Sequence, residues 1–238
     1  MVFYIIGIGL NDEKDITEKG LEIVRKADKV YLETYTSKLN CSKEDLEKLY
    51  GKEIKEVKRE DVETHTEVLV NEGKTKEIAF LVMGSPFAAT THTELLLTAK
   101  KLNVEVKVIE NASVYSAVGV TGLFLYKFGK TTTIPLENKN IKSPYEIFLQ
   151  NNKLGMHTLF LLDVKEDKLM SAREGLDYLI RLGLEKITMV VGCGALGSLE
   201  PEIKYGKANE LVINKYPQCF IIPGELHFKE LEVLDSYL

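Results

Sequence analysis

Short apolar runs alternate with amphipathic segments along the whole chain, and this alternation predicts an α/β fold. The clearest apolar run is Ile78–Met83, which is continuous enough for a strand buried on both faces. The runs that predict strands are Val2–Ile6, Lys29–Leu32, Glu53–Val57, Ile78–Met83, Val104–Ile109, Thr131–Pro135, His157–Asp163, Ile187–Cys193, Glu202–Gly206 and Cys219–Ile222. The segments that predict helices are Thr17–Ala27, a segment from Ser42, Thr64–Glu72, Thr91–Lys101, Val114–Tyr126, Pro144–Asn152, Ser171–Leu182, Ala208–Ile213 and Leu226–Leu238.

The alternation restarts near Glu110-Asn111-Ala112, after about five predicted strands, which is enough for a small sheet. We therefore expect two α/β domains, residues 1–110 and residues 111–238. A cleft between two domains of similar size is the default place for a ligand.

Two glycine-rich turns follow predicted strands. Gly84-Ser85-Pro86 begins directly after the buried run, and its neighbours Ala88 and Ala89 are small enough for a ligand to approach the main chain. Gly7-Ile8-Gly9-Leu10 ends the first strand and resembles the start of a dinucleotide fingerprint. Asp12 stands where the third glycine belongs and the helix is delayed to Thr17, so we expect no ordinary NAD site.

Composition narrows the function classes. The 238 residues are 45% hydrophobic, which is enough for a sizeable core, and no apolar run reaches the ~18 residues that span a membrane. No signal-peptide pattern is present, so we expect a cytoplasmic protein. The net charge of −5, without a basic tract, argues weakly against nucleic acid as a partner. Many Lys and Glu residues with glutamine only at positions 150 and 218 favour a thermophile.

Candidate catalytic groups have alternative structural roles. The three cysteines and four histidines lack ligand spacing, so we expect no metal site. Cys193 ends an apolar strand and reads better as a buried thiol than as a nucleophile. Asp163 is either a base or a turn cap at a strand end, and Glu33 and Tyr35 lie in a polar loop that either lines a substrate site or is merely solvated. Ser113 is either a helix cap, the start of a ligand-binding segment, or both.

Taken together, several segments resemble the diphthine synthases, which belong to the tetrapyrrole-methylase-like S-adenosylmethionine methyltransferases. The resemblance runs nearly end to end. The wider class shares the turns at Gly7–Leu10 and Gly84–Pro86. The blocks Ala89-Thr90-Thr91-His92 and Ser113-Val114-Tyr115-Ser116-Ala117-Val118-Gly119 are particular to diphthine synthases. The other matching segments are Asp15-Ile16-Thr17, Tyr35-Thr36-Ser37, Tyr126-Lys127-Phe128-Gly129-Lys130, His157-Thr158, Leu162-Asp163, Gly197-Ser198-Leu199 and Pro223-Gly224.

This resemblance implies two α/β domains of the tetrapyrrole methylase type, with S-adenosylmethionine in the cleft between them, and a homodimer. The positions that it implies for cofactor contacts are Leu10, Ser85, Ala88, Ser113, Val114, Leu162, Leu196 and Gln218. Two of these depart from the family pattern, because Ser85 replaces an aspartate and Gln218 stands where a histidine is expected. Ser85 lacks a charge that could attract the sulfonium or hold the ribose.

The implied substrate is translation elongation factor 2, on a histidine that carries a 3-amino-3-carboxypropyl group. Methylation of that amine would form diphthine, with S-adenosylhomocysteine as the second product. An amine nucleophile does not require a nucleophilic side chain, so the catalytic residues stay open. Three alternatives also stay open: methylation of a tetrapyrrole or ribosomal RNA by the same fold, a non-catalytic S-adenosylmethionine-binding module, and a generic α/β nucleotide-binding protein.

Overall fold

A computed structural model describes residues 1–165 and 168–238. The chain forms two compact units, Met1–Val114 and Tyr115–Leu238. No helix in the described ranges combines the length and the apolar character needed to cross a membrane.

The first unit is built on a parallel five-stranded sheet, in the order β3-β2-β4-β1-β5. Its strands are β1 Val2–Gly7, β2 Lys29–Glu33, β3 Ile54–Val57, β4 Ile78–Val82 and β5 Glu105–Ile109. Its helices are α1 Glu18–Lys26, α2 Lys43–Tyr50, α3 Arg59–Glu63, α4 Thr66–Asn71 and α5 Thr93–Leu102, with short 3₁₀ turns at Glu13–Asp15 and Glu72–Lys74.

The hydrophobic pattern explains why β4 lies in the middle of this sheet. All five of its residues are buried, as expected for a parallel strand covered by helices on both faces. Phe80 and Val82 join an apolar cluster with Leu95, whereas Ala79 and Leu81 join a separate cluster. Neighbouring residues of a strand point to opposite faces, so these clusters are the cores on the two sides of the sheet.

Capping residues begin the helices where the sequence predicts them. The Thr17 side chain accepts from the Gly20 amide and begins α1, and Ser42 forms a capping box with Asp45 at α2. The sequence did not predict α3, whose start is marked by the Asp61 carboxylate accepting from the Lys58 amide at 2.8 Å.

Gly7 lets the loops that follow β4 and β5 meet over the end of β1. A Cβ atom at Gly7 would lie 2.5 Å from the Gly84 carbonyl oxygen, 2.9 Å from Asn111 Cβ and 3.0 Å from Pro86 Cδ. These separations are too short for real contacts, so the arrangement requires glycine at this position. The Asn111 amide also donates to the Gly7 carbonyl at 3.0 Å and to the Asp15 carbonyl at 2.9 Å. The three loops are therefore joined by close packing and by hydrogen bonds.

The second unit is built on a mixed five-stranded sheet, in the order β11-β10-β12-β7-β6. Its strands are β6 Thr132–Ile134, β7 Thr158–Leu162, β10 Met189–Gly194, β11 Glu202–Lys207 and β12 Gln218–Ile222. Outside this sheet, β8 Val164–Lys165 pairs antiparallel with β9 Lys168–Leu169. Only β6 and β7 run parallel within the sheet. The helices are α6 Val114–Ala117, which begins at the last residue of the first unit, α7 Ser143–Lys153, α8 Ala172–Leu182 and α9 Phe228–Leu234.

Helix α8 covers one face of this second sheet. Its apolar residues Leu176 and Leu179 pack in one cluster with Phe160 of β7 and Phe220 of β12, whose rings stack at 4.8 Å. Ser171 begins the helix with a capping box, as the sequence predicts.

Two predicted helices of this half are wrong. The segment predicted as a helix over Val114–Tyr126 is helical only to Ala117 and continues as 3₁₀ turns at Val118–Thr121 and Leu125–Lys127. Gly122 between those turns is left-handed, which a continuous helix does not permit. In the segment 208–213 only residues 208–210 form a turn, and residues 211–213 are not helical, because Leu211 and Ile213 are both buried in one cluster with Val212 exposed between them, which is the alternation of an extended segment.

A fully buried carboxylate, that of Glu230, anchors α9. It accepts from the Phe124 amide at 2.7 Å, from the His227 amide at 2.8 Å and from His157 Nε2 at 2.9 Å, and it pairs with Lys127. His157 Nδ1 accepts from the Gly224 amide at 2.9 Å, so the proton of the neutral ring lies on Nε2. Although burial raises the pKa of Glu230, the hydrogen bonds from Lys127 and the other donors outweigh burial and lower it to about 2.

We expect Gly7→Ala to lower the free energy of unfolding by about 2 kcal/mol, because the added methyl group would overpack rigid backbone. Urea denaturation followed by far-ultraviolet circular dichroism measures the change. Gly206→Ala is the control, because its Cβ would meet only Leu211 Cδ1, at 3.9 Å. Equal stability of the two variants would contradict the close approach of the loops at Gly7.

We expect Glu230→Gln to lower the free energy of unfolding by about 3 kcal/mol at pH 7, because it leaves Lys127 without its buried partner. The folded-state pKa of Glu230 is lowered to about 2 from 4.5, so its contribution is present above pH 4.5 and is lost as the pH falls through about 2. Urea titrations at several pH values should therefore show the difference between the proteins shrinking in acid.

Glu232→Gln is the matched control for that measurement. Glu232 lies on the same helix but forms an exposed pair with Lys229 at 2.7 Å, so its loss should change stability by less than about 1 kcal/mol. A pH-independent difference for Glu230→Gln, or an equal effect of both variants, would contradict the role given to the buried carboxylate.

Candidate functional site

The candidate site in the first unit lies at the carboxyl ends of its parallel strands. Strands β1 and β4 are neighbours, and the chain leaves them in opposite directions along the sheet, from β1 to β2 and from β4 to β5. In open α/β sheets, ligands bind outside the carboxyl ends of strands at such a switch point. The two glycine-rich turns predicted from the sequence follow β1 and β4, and therefore both lie at this edge.

The first turn is fixed by hydrogen bonds to β4 and to Asp15. The Ile8 amide donates to the Val82 carbonyl at 2.9 Å, and the Gly84 amide donates to the Gly9 carbonyl at 2.7 Å. The Asp15 carboxylate accepts from the amides of Leu10 and Asn11 at 3.0 and 2.7 Å. The Leu10 amide is thus already satisfied, which leaves its carbonyl and side chain for a ligand.

The second turn combines small side chains with unusual backbone. Gly84 is left-handed with φ of 75°, and a Cβ there would meet nothing closer than Leu10 Cδ2 at 3.5 Å. Ala89 is also left-handed, with φ of 57°, which is uncommon for a residue other than glycine. Ser85 and Ala88 are half-buried, and the Ser85 hydroxyl donates to Glu110 Oε2 at 2.9 Å. The structure brings Leu10, Ser85 and Ala88 to one edge of the first sheet.

Buried His92 holds the second turn against the loop after β2. Its Nδ1 donates to the Pro86 carbonyl at 2.9 Å, because a carbonyl oxygen can only accept. In this tautomer Nε2 accepts from the Tyr35 hydroxyl at 3.1 Å. Burial and the nearby carboxylates of Glu33 and Glu63 raise the pKa of Tyr35, so the phenol stays protonated and donates.

The candidate bases named from the sequence all have structural partners. The buried Glu33 carboxylate accepts from the amides of Tyr35 and Thr36 at 3.3 and 3.2 Å, and from the Thr36 hydroxyl. The Asp163 carboxylate accepts from the amides of Leu136 and Val164 at 3.0 and 2.9 Å, as a turn cap does. Each of these groups therefore holds a loop in the described structure.

Cys193 is not a good nucleophile in this structure. It lies opposite Cys219 on the neighbouring strand, and both thiols are buried. Hydrogen bonding with Cys219 and burial raise the pKa of Cys193, which keeps it a thiol rather than a reactive thiolate.

In the second unit, the positions that the sequence predicts as cofactor contacts lie at one edge of the sheet. Leu162 ends β7, Gln218 begins the antiparallel neighbour β12, and Gln218 pairs with Gly194 at the end of β10. Leu196 is buried in the turn after β10, where Ala195 is left-handed with φ of 51°. The buried Ser198 hydroxyl beside it has no hydrogen-bond partner among the described residues.

The Gln218 side chain itself is occupied. Its Oε1 accepts from the Ala172 amide at 2.7 Å at the start of α8, and its Nε2 donates to the Ile213 carbonyl at 2.8 Å. A ligand contact at this position would therefore use backbone atoms. Ser113 and Val114 come after the segment Glu110-Asn111-Ala112 that follows β5, and α6 begins at Val114.

Sequence reasoning missed three polar groups of the first unit: the Asp15 carboxylate, the Asn111 amide and the Glu110 carboxylate. The only signal in the sequence was a polar residue just beyond a strand or turn. Such residues are common, and their position in the sequence does not show which group they hydrogen-bond to. In the described ranges, no three His, Cys, Asp or Glu residues are grouped so that they could hold a metal ion.

Comparison with known proteins identifies the family. The family model described as tetrapyrrole (corrin/porphyrin) methylases matches residues 2–211. A diphthine synthase of Methanococcus aeolicus is 43% identical over 245 residues, which cover 97% of this chain and 95% of that protein. A diphthine synthase of Methanocaldococcus jannaschii is 42% identical over 247 residues, which cover 97% of this chain and 96% of that protein.

A solved structure described as a crystal structure of diphthine synthase superposes with a TM-score of 0.94 and 34% identity, covering 100% of this chain and 96% of that one. Sequence and structure comparisons agree over nearly the full length. The chain therefore belongs to the tetrapyrrole methylase family and, within it, to the diphthine synthases.

Proposed function

We propose that this chain is an S-adenosylmethionine-dependent methyltransferase that methylates the amine of the 3-amino-3-carboxypropyl-histidine of translation elongation factor 2, forming diphthine. The observation that carries this proposal is the 42–43% identity, over 97% of the chain, to proteins named diphthine synthase. The glycine-rich turns at the carboxyl edge of the first sheet support it, because that edge suits a nucleotide-like ligand.

The residues present fit S-adenosylmethionine. Gly84 leaves the main chain open to a close approach, and Leu10 keeps its carbonyl and side chain for a ligand because its amide is already bonded to Asp15. The proposed contacts are Leu10, Ser85, Ala88, Ser113, Val114, Leu162, Leu196 and Gln218. When bound, the cofactor supplies an electrophilic methyl group and becomes S-adenosylhomocysteine.

This chain's own residues contribute to the reaction mainly by binding and orienting the cofactor and the substrate. Asp15 and Asn111 hold the first turn, and His92 holds the second, so both turns are set before a ligand arrives. Because Glu33, Tyr35 and Asp163 all make structural hydrogen bonds, the proposal assigns no side-chain base. The substrate amine loses its proton to solvent and acts as the nucleophile.

The proposal includes a cytoplasmic homodimer with domains at residues 1–110 and 111–238 and with elongation factor 2 as the protein partner. It includes no metal, nucleic acid or membrane. The test is a mass spectrum of elongation factor 2 bearing the aminocarboxypropyl-histidine, after incubation with this protein and S-adenosylmethionine. We expect gains in steps of one methyl group on that histidine, absent without the cofactor. No gain, with cofactor binding measured separately, would contradict the proposed substrate.

We expect Tyr35→Phe to keep the pH profile of kcat and to change kcat by less than about tenfold, because the protonated phenol serves His92 rather than the substrate. Tyr31→Phe is the matched control, since it removes a tyrosine hydroxyl of the preceding strand β2 that donates to Glu72 at 3.0 Å. A loss of roughly a hundredfold or more for Tyr35→Phe alone, with a shifted acid limb, would instead make Tyr35 the general base.

A further inference from the structure

Glu110 supplies a carboxylate beside the second turn, where Ser85 offers only a hydroxyl. Glu110 directly follows β5, and Ser85 lies in the turn after β4, so the two residues come from strands on opposite sides of β1. The Ser85 hydroxyl donates to Glu110 Oε2 at 2.9 Å across the end of β1. The missing side chain at Gly7 allows this contact, because it lets the two loops meet.

The Glu110 carboxylate is held in place and remains available. Its neighbour Asn111 is tied to the carbonyls of Gly7 and Asp15, which fixes the backbone next to Glu110. The side chain is exposed, and within residues 1–165 and 168–238 no lysine or arginine forms an ion pair with it. By contrast, Glu105 on the same strand pairs with Lys107 at 3.2 Å. Glu110 therefore presents a carboxylate that no lysine or arginine of the described residues pairs with.

We propose that the Glu110 carboxylate, oriented by the Ser85 hydroxyl, binds a positively charged part of S-adenosylmethionine. This inference rests on the proposed function. A carboxylate that already accepts one neutral hydrogen bond has a second oxygen free, and charge-assisted contacts are stronger than neutral ones. The cofactor offers two cations, its sulfonium and its α-ammonium group, and both attract a carboxylate by the same Coulombic force.

Isothermal titration calorimetry with three ligands tests this assignment. S-adenosylmethionine carries both cations, S-adenosylhomocysteine carries only the ammonium, and methylthioadenosine carries neither. We expect Glu110→Gln to weaken S-adenosylmethionine binding roughly tenfold and to leave methylthioadenosine within about twofold. Weaker binding of S-adenosylhomocysteine as well would identify the ammonium as the partner, whereas unchanged binding would identify the sulfonium.

Two further variants make the test specific. Glu105→Gln removes the same charge from the other end of β5 and should leave all three affinities unchanged. Because positions 85 and 110 lie within hydrogen-bond reach, the double variant S85D/E110Q returns a carboxylate to the same place and should recover most of the lost affinity. Affinity no better than that of Glu110→Gln would contradict a role for the charge.

Other outcomes overturn the assignment. Unchanged S-adenosylmethionine binding by Glu110→Gln would remove Glu110 from the site while leaving the proposed function intact. An equal loss for methylthioadenosine would mean that Glu110 contacts the neutral ribose or adenine instead of a cation. If the unaltered protein bound none of the three ligands, the proposed function would fail, and this inference would fail with it.

Discussion

The missing side chain at Gly7 is the constraint on which the candidate site of the first unit depends. Any larger residue would collide with the Gly84 carbonyl and with Asn111, and the loops after β4 and β5 would be forced apart. Because these loops meet, Ser85 reaches Glu110 and Asn111 reaches the carbonyl groups of the first turn. One hydrogen atom in place of a methyl group thus determines which polar groups can act together.

Hydrogen bonds then fix the geometry that this packing allows. Asp15 satisfies two amides of the first turn, and buried His92 links the second turn to Tyr35. A side chain also fixes loops in the second unit, where the buried Glu230 carboxylate accepts hydrogen bonds from three segments of the chain. In each case a polar side chain that could be mistaken for a catalytic group is used to hold backbone. This explains why Glu33 and Asp163 resemble bases in the sequence and serve as anchors in the fold.

Much of the fold follows from local patterns. The strand β4 is encoded by one continuous apolar run, and the helices after Ser42 and Ser171 begin with hydrogen bonds between residues three positions apart. These elements were predictable because their signals are local. The helix expected over Val114–Tyr126 fails at a left-handed Gly122, and the segment 208–213 instead buries Leu211 and Ile213 with the alternation of an extended segment. The contact between Ser85 and Glu110 joins residues 25 positions apart, which periodicity does not report. The two turns of the site were predictable because glycine and proline mark them locally. The polar groups that hydrogen-bond across the turns were not predictable, and the eight cofactor contacts stay predictions.

A crystal structure of the protein with S-adenosylhomocysteine bound would test most directly whether the carboxyl edge of the first sheet is the cofactor site. Our account predicts that the ligand contacts the turns at Gly7–Leu10 and Gly84–Ala88, with these turns in the conformation described here. A ligand bound elsewhere, or turns that rebuild to admit it, would contradict the account.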